Sequence, residues 1–584
     1  MSMQEAGLRE SLELVQGRLR AAGMAGRALA RTIAGEIREG TLAGTVRETI
    51  RSKRLAFAGE STYSELLEKR AAEDPDAVFL RFGNQQITRN SLNCHANGVA
   101  NGLRDMGALA GENAAILCPN CPEYLYVFFG LQKLGMGAVP VNTALVGDGL
   151  TYVIDNSESK YLFVHEANLP QVMAIRDRLP RLKDIVIIPG NLRTAPELAS
   201  APRLMPRLDE FFASCCERPF EGYGANPDDV ALILYTSGTT GLPKGVVYRY
   251  RDSNVKLMRL LANLLYSEKD ILYTCLPLFH ANALLLSTMQ ALNAGAQLAL
   301  GTRFSASRFW REVAHYKATT FNTLGAMIPI LLKQPPSEDD WRHRVNLVVS
   351  AACPADAWRP FERRFGVRLV EAYAAVDGGG FLTLNMGNAP VGSIGKPLGG
   401  ARYRLLAEDG REAVPGEPGE LVVSMSGKTS RKVEYFRNED ATRQKTRDGW
   451  LHTGDLLYRD RRGYLYFVGR NTDSMRRRGE NVSAYEVESI LSKHPDVLEC
   501  AVFGVPSELG EHDIMAVVVP IEGRAPAPAE IRAFMTDKIA RYALPRYIEI
   551  VPELPKTETH RVQKNVLKAR GVTAATWDAE KAAA

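Results

Sequence analysis

The sequence predicts an α/β protein with a large N-terminal domain of parallel-rich sheets, a β-subdomain, and a small αβ C-terminal domain. Three observations predict it. At 584 residues the chain exceeds what one compact core accommodates. From Ser61 onward, short apolar runs alternate with amphipathic stretches, the pattern of strands joined by crossover helices. The texture then changes twice, to hairpin-like segments after Gly392 and to a smaller αβ unit near Gly469. The expected boundaries are an extension over 1–58, a large domain over 59–469 and a small domain over 470–584.

In chain order, the extension comes first. Leu8, Leu12, Val15 and Leu19 recur at helical spacing, and Arg9, Arg18, Arg20, Arg27 and Arg31 interleave and continue them. A second basic patch ends in Arg51-Ser52-Lys53-Arg54. A basic amphipathic helix suits peripheral contact with an anionic membrane surface; packing on the main domain or on a homodimer partner is the blander alternative.

Next come the strand-like runs Ala114–Leu117, Tyr161–Val164, Ile185–Ile188, Val230–Leu234 and Asn346–Val349. After Gly392, the turn signals Pro415-Gly416-Glu417-Pro418-Gly419 and Arg461-Arg462-Gly463-Tyr464 imply antiparallel hairpins. The last residues, from about Ala574, are Ala-rich and expected to fray.

Composition excludes several classes. Hydrophobic residues make up 45% and charged residues 24%, ordinary for a soluble globular protein, and the net charge of +5 makes no case for nucleic acid. Eight cysteines without framework spacing favour reduced thiols and a cytoplasmic setting. Cys118-Pro119-Asn120-Cys121 stands alone, with no second pair or nearby histidines, so both cysteines read as packing residues at a strand end. No apolar run is long enough to span a bilayer, and no signal peptide is evident.

The chemistry concentrates in Tyr235-Thr236-Ser237-Gly238-Thr239-Thr240-Gly241-Leu242-Pro243-Lys244-Gly245. A buried strand turns abruptly into hydroxyls and glycines. Glycines let backbone N–H groups converge on an anion, Thr and Ser add donors, and Lys244 adds charge. The spacing is not that of the common P-loop. This stretch resembles the signature loop of the adenylate-forming superfamily, which comprises acyl-CoA synthetases, peptide-synthetase adenylation domains and luciferases. The resemblance extends over roughly residues 60 to 572.

Further segments carry it. Leu276-Pro277-Leu278-Phe279-His280 resembles the segment whose His lies at the carboxylate entrance. Glu371-Ala372-Tyr373-Ala374-Ala375-Val376-Asp377-Gly378 is similar to Tyr-Gly-x-Thr-Glu. The resemblance implies Tyr373 against adenine and Asp377 as the Mg²⁺ ligand, in place of the usual Glu. Val376 stands where the family has Thr, so a donor is lost. Gly449-Trp450-Leu451-His452-Thr453-Gly454-Asp455 resembles Gly-Trp-x-x-Thr-Gly-Asp, implying that Asp455 holds the ribose hydroxyls. Arg470 matches the arginine for ribose and phosphate, Thr472 the hinge, and Gly479-Glu480-Asn481-Val482-Ser483 the loop of the CoA tunnel. Pro555-Lys556-Thr557-Glu558-Thr559-His560-Arg561 matches Pro-Lys-Thr-x-x-Gly-Lys, with Arg561 in place of the catalytic Lys. Arg keeps the charge but not the shape, and Lys564 is the alternative.

Leu298–Gly301 followed by Phe304–Trp310 resembles the fatty-acid-transport-protein type of acyl-CoA synthetase, as does Gly479–Val482. Arg476-Arg477-Arg478 resembles the carnitine and crotonobetaine type. The implied activity is AMP-forming carboxylate–CoA ligation using ATP, Mg²⁺ and coenzyme A, with a long-chain fatty acid as the first choice. Branched, aromatic, steroidal or carnitine-like acids are the alternative, and a nucleotide and acyl binder impaired in adenylation is the third reading.

Overall fold

Two parallel-rich sheets hold most of the apolar runs. In the computed structural model the described residues are 23–24, 26–27, 62–190, 205–212, 218–221, 225–236, 243–252, 255–325, 327–378, 380–398, 401–425, 433–470, 474–477, 480–507, 512–536, 538–539, 541–557 and 562–582. One sheet has six strands, ordered Asp184–Ile188, Ser159–His165, Asn113–Leu117, Gly137–Pro140, Val230–Thr236 and Lys244–Arg249. Its neighbours are parallel except the last pair, where Thr236 lies opposite Lys244. Asn113–Leu117 is buried at every position, which explains its continuous apolar run: a strand covered on both faces has no solvent side to alternate with.

The second sheet has eight strands. Its five-strand centre, Arg368–Ala375, Leu347–Ala351, Thr320–Leu324, Ile271–Thr274 and Gln297–Leu300, is parallel and continues in parallel to Val78–Phe82. Antiparallel strands Gly380–Asn385 and Gln85–Thr88 close the two edges. Between the sheets pack helices such as Arg89–Asp105 and Pro122–Leu134, the latter apolar almost all round. Proline opens that second helix, where no N–H is needed, and Gly135 at φ 75° ends it in the left-handed conformation.

The turn signals after Gly392 are matched by an antiparallel sheet of Tyr403–Leu406, Gly419–Ser424, Trp450–Arg459 and Leu465–Arg470. Beyond it lie the hairpin Ser474–Arg477 with Glu480–Ser483 and a last sheet of Val497–Pro506, His512–Pro520, Tyr547–Ile550 and Trp577–Asp578. That small unit has its own apolar core around Val502, Ile514 and Ile531. Lys333, from the large unit, donates to the carbonyls of Val497 (2.5 Å) and Leu498 (3.0 Å).

Most of the basic extension lies outside the described residues. Of it, Met24 is buried in the main core, and Arg368 Nη2 lies 3.3 Å from its sulfur. Among the described residues, no helix is long and apolar enough to cross a membrane. Cys118 and Cys121 are buried at the end of Asn113–Leu117 with their sulfurs 3.3 Å apart. Between them, Asn120 donates to the carbonyls of Leu276 and Gly301 and accepts from the Leu278 amide.

Candidate active site

A cavity of about 1280 Å³ runs from the six-stranded sheet to the antiparallel sheet and the small unit. Thr236, Lys244, His280, Tyr373, Asp377, Asp455 and Arg470 all line it. The sheet register explains the first pair. Thr236 ends one strand and Lys244 begins its antiparallel neighbour, and the two lie opposite one another in the register, both lining the cavity. Ser237, Gly238, Thr239, Thr240 and Gly241 lie outside the described residues.

The edge strand Lys244–Arg249 is extended by a short segment from far along the chain. The Val247 amide donates to Glu434 O, and the Phe436 amide to Gly245 O, at 2.9 and 2.7 Å. Arg249 pairs with Glu434. This brings the Tyr435 ring beneath the Lys244 ammonium, 5.4 Å away, and lets the Tyr435 hydroxyl donate to Asp377 Oδ2 at 2.7 Å. Lys445 Nζ lies 3.2 Å from the same oxygen. Burial works against ionising Asp377, but Lys445, Tyr435 and Arg470 outweigh it and hold its pKa below the ordinary value. Mg²⁺ is characteristically held by one or two carboxylates together with substrate phosphates, so an ionised carboxylate facing the cavity fits it. Among the described residues no cluster of three acidic, Cys or His side chains forms a self-sufficient metal cage.

Asp455 and Arg470 face one another across two antiparallel strands, with Arg470 Nε 3.2 Å from Asp455 Oδ1. Opposite the next strand, pairing passes from Val422↔His452 to Glu420↔Leu456, so Thr453, Gly454 and Asp455 face a single residue. Such a bulge re-aims side chains. Gly454 takes φ 78°, and the Thr453 hydroxyl donates to Leu421 O at 2.7 Å, fixing the distortion. Asp455 is turned inward, 4% exposed, and accepts from the Tyr373 hydroxyl at 2.5 Å. Burial raises its pKa against the pull of Arg470 and Tyr373. Burial, and then the Asp455 charge, raise that of Tyr373.

Several contributors carry no motif of their own. Glu371 is 2% exposed and lines the same wall as Tyr373, two residues along the strand. Its carboxylate accepts from the amides of Ala352 (2.5 Å) and Cys353 (3.3 Å). It therefore holds a turn in which Ala352 sits at φ 66°, an uncommon conformation for a residue with a Cβ. Burial raises the Glu371 pKa to about 7, against those amide bonds. Tyr435 and Lys445 lie more than fifty residues from Asp377 in sequence, which hides their convergence from any local pattern.

His280 lines the cavity, with its ring 4.6 Å from that of Phe279. The apolar part is lined by Phe128, by Leu232 and Leu234, and by Met258, Leu261 and Leu265 of the helix Val255–Leu265. Arg561 and Gly479 lie outside the described residues, as does Thr472. Thr557, four residues before Arg561, lines the cavity, and Lys556 and Val562 bridge across the intervening segment. Lys564 Nζ pairs with Glu488 at 2.8 Å.

Comparison with known proteins agrees with this geometry. The family model described as AMP-binding enzyme matches residues 67–430, and that of the AMP-binding enzyme C-terminal domain matches residues 486–561. The chain belongs to the AMP-binding enzyme family. By family it is an ATP-dependent, AMP-forming CoA ligase, a class that uses ATP, Mg²⁺ and coenzyme A. It is 31% identical over 493 residues to the crotonobetaine/carnitine–CoA ligase of Salmonella enteritidis PT4, covering 83% of this chain and 93% of that protein. The Salmonella typhi enzyme of the same name is 32% identical over 496 residues, with the same coverage of both chains. Among solved structures it resembles the anthranilate CoA ligase AuaEII in complex with anthranoyl-AMP, at TM-score 0.76 and 27% identity over 87% of this chain and 97% of that one. ATP-bound MatB from Rhodopseudomonas palustris gives TM-score 0.74 and 26% identity, over 87% and 98%.

Proposed function

We propose that this ligase activates an extended, largely apolar carboxylic acid, with a long-chain fatty acid as the first candidate. The observation that carries the reading is the aliphatic part of the cavity. Phe128, Leu232, Leu234, Met258, Leu261 and Leu265 form its wall. No acidic residue on those elements lines it among the described residues, so a cationic substrate group would have no counter-charge there. Burying an unpaired charge is costly, whereas each buried methylene contributes about 0.8 kcal/mol. A second reading, a betaine-type acid, is favoured by the similarity to the crotonobetaine/carnitine–CoA ligases.

In the first half-reaction a carboxylate oxygen attacks the α-phosphorus of ATP. The bond to the bridging oxygen breaks, and pyrophosphate leaves with the electron pair. Lys244 and the loop before it are assigned to the phosphates, Tyr373 to the adenine, and Asp455 with Arg470 to the ribose. His280 is assigned to the carboxylate entrance. Asp377 would hold Mg²⁺, which supplies charge neutralisation at the phosphates. Arg561 is assigned the charge that builds on the carboxylate and α-phosphate. In the second half-reaction the CoA sulfur attacks the acyl carbonyl, AMP departs with the bonding pair, and the thiol proton is released. Gly479 is assigned to the CoA path. Positioning and preorganised charge do most of this work.

Pyrophosphate release over a panel of acids is the test. Turnover of long-chain acids supports the first reading. Turnover confined to betaine-type acids supports the second and overturns the first. ATP binding with no turnover would overturn both and indicate impaired adenylation.

A further inference from the structure

One peptide group beside Asp455 is gripped at both ends by side chains. The bulge in Trp450–Arg459 sets Thr453, Gly454 and Asp455 against a single residue of the neighbouring strand, Leu421. A bulge leaves its extra residue outside the ladder, so the backbone groups there need other partners. Here the Thr453 carbonyl accepts from Lys445 Nζ at 3.0 Å, and the Gly454 amide donates to Glu420 Oε1 at 3.1 Å. That carbonyl and that amide belong to one planar trans peptide, so Lys445 and Glu420 fix its orientation from opposite sides. Gly454 follows at φ 78°, and the next side chain is Asp455, whose amide donates to Thr453 Oγ1 at 3.1 Å. Rotating this peptide would swing the Asp455 carboxylate away from Tyr373 and Arg470.

Glu420 is itself held. Its second oxygen, Oε2, lies 3.0 Å from His452 Nδ1, and Arg447 Nη2 lies 2.9 Å from the same nitrogen. The Glu420 side chain is 16% exposed. Lys445, Thr453, Gly454 and Asp455 line the cavity, whereas Glu420 is not among the described residues that do. A carboxylate behind the wall that spends one oxygen on a single backbone amide sets a direction and touches no ligand.

We propose that Glu420 is a positioning residue for nucleotide binding: together with Lys445 it clamps the Thr453–Gly454 peptide and so aims the Asp455 carboxylate. The inference rests on the reading that Asp455 and Arg470 hold the ribose. Glu420 is the end of the clamp to test, because Lys445 also touches Asp377.

The test is ATP affinity, measured by calorimetry on the full-length protein with no acid present. Glu420→Ala should weaken ATP about tenfold, the effect of one misaligned charge-assisted hydrogen bond. Glu420→Gln keeps an acceptor for the Gly454 amide and should stay within about threefold of wild type. In the Asp455→Ala background, Glu420→Ala should cost less than about twofold, since no carboxylate is left to aim. A role confined to stability would weaken binding equally in both backgrounds, and that result would overturn the proposal. Wild-type affinity in Glu420→Ala would overturn it too. So would a Glu420→Gln as weak as Glu420→Ala, which would make the charge beside His452 the active feature. If Glu420→Ala does not fold, Glu420→Met, close in volume and without an acceptor oxygen, takes its place. If Asp455→Ala binds ATP like wild type, the ribose reading fails, and the crystal structure of Glu420→Ala decides the positioning. An Asp455 carboxylate swung away from the Tyr373 hydroxyl supports it, and one left in place overturns it.

Discussion

Asp455 shows how much the polar end of the cavity depends on single groups. It is buried, it accepts from Tyr373, and Arg470 is its counter-charge. Asp455→Ala removes a charged acceptor from the proposed ribose site, where a charge-assisted hydrogen bond contributes about 1.5–3 kcal/mol. Calorimetry should show ATP affinity falling by about tenfold to a hundredfold; unchanged affinity would rule the ribose assignment out. Glu371 supplies a second test, on pH. Its folded pKa of about 7 lies above the ordinary 4.5, so the folded state holds the proton more tightly. The stabilisation is complete below about 4.5 and is lost as pH rises through about 7, a swing on the order of 3 kcal/mol. Wild-type denaturation midpoints should fall between pH 5 and pH 8, and Glu371→Gln should flatten that fall. An equal slope in both proteins would show that the carboxyl is not the titrating group.

At the level of elements, Asn120 ties the start of one helix to the segment that delivers His280. Its side chain makes three hydrogen bonds, to Leu276, Leu278 and Gly301, all buried. Asn120→Ala strands those backbone groups and should cost about 2–4 kcal/mol, read as a lower Tm. It should also raise KM for the acid more than KM for ATP, because the displaced segment carries His280, the residue proposed for the carboxylate entrance. Much at this scale was legible from sequence. Ala114–Leu117 and Ile185–Ile188 read as buried strands because apolar runs between turn signals have few other solutions. That Asp455 and Asp377 line one cavity was legible because their neighbours form recognisable strings. The bulge that aims Asp455 and the contacts of Tyr435 and Lys445 with Asp377 were not. Each depends on register or on segments distant in sequence, which no local spacing encodes.

For the whole molecule, the decisive contacts cross between units. Lys333 donates to two carbonyls of the small unit, and Lys493 pairs with Asp356 at 3.4 Å. Lys333→Ala should loosen this contact, and limited proteolysis between residues 470 and 474 should become severalfold faster; an unchanged rate would show that the contact does not restrain the small unit. The cover over Lys244–Arg249 carries a different kind of consequence. A bare strand edge is a template on which other chains assemble, and here the segment around Tyr435 occupies it. The same segment carries the hydroxyl that grips Asp377. Protection from aggregation and assembly of the cavity wall around Asp377 therefore depend on one docking event. Variants that weaken it should lose solubility and activity together, and a soluble pool of molecules with a broken site should not build up.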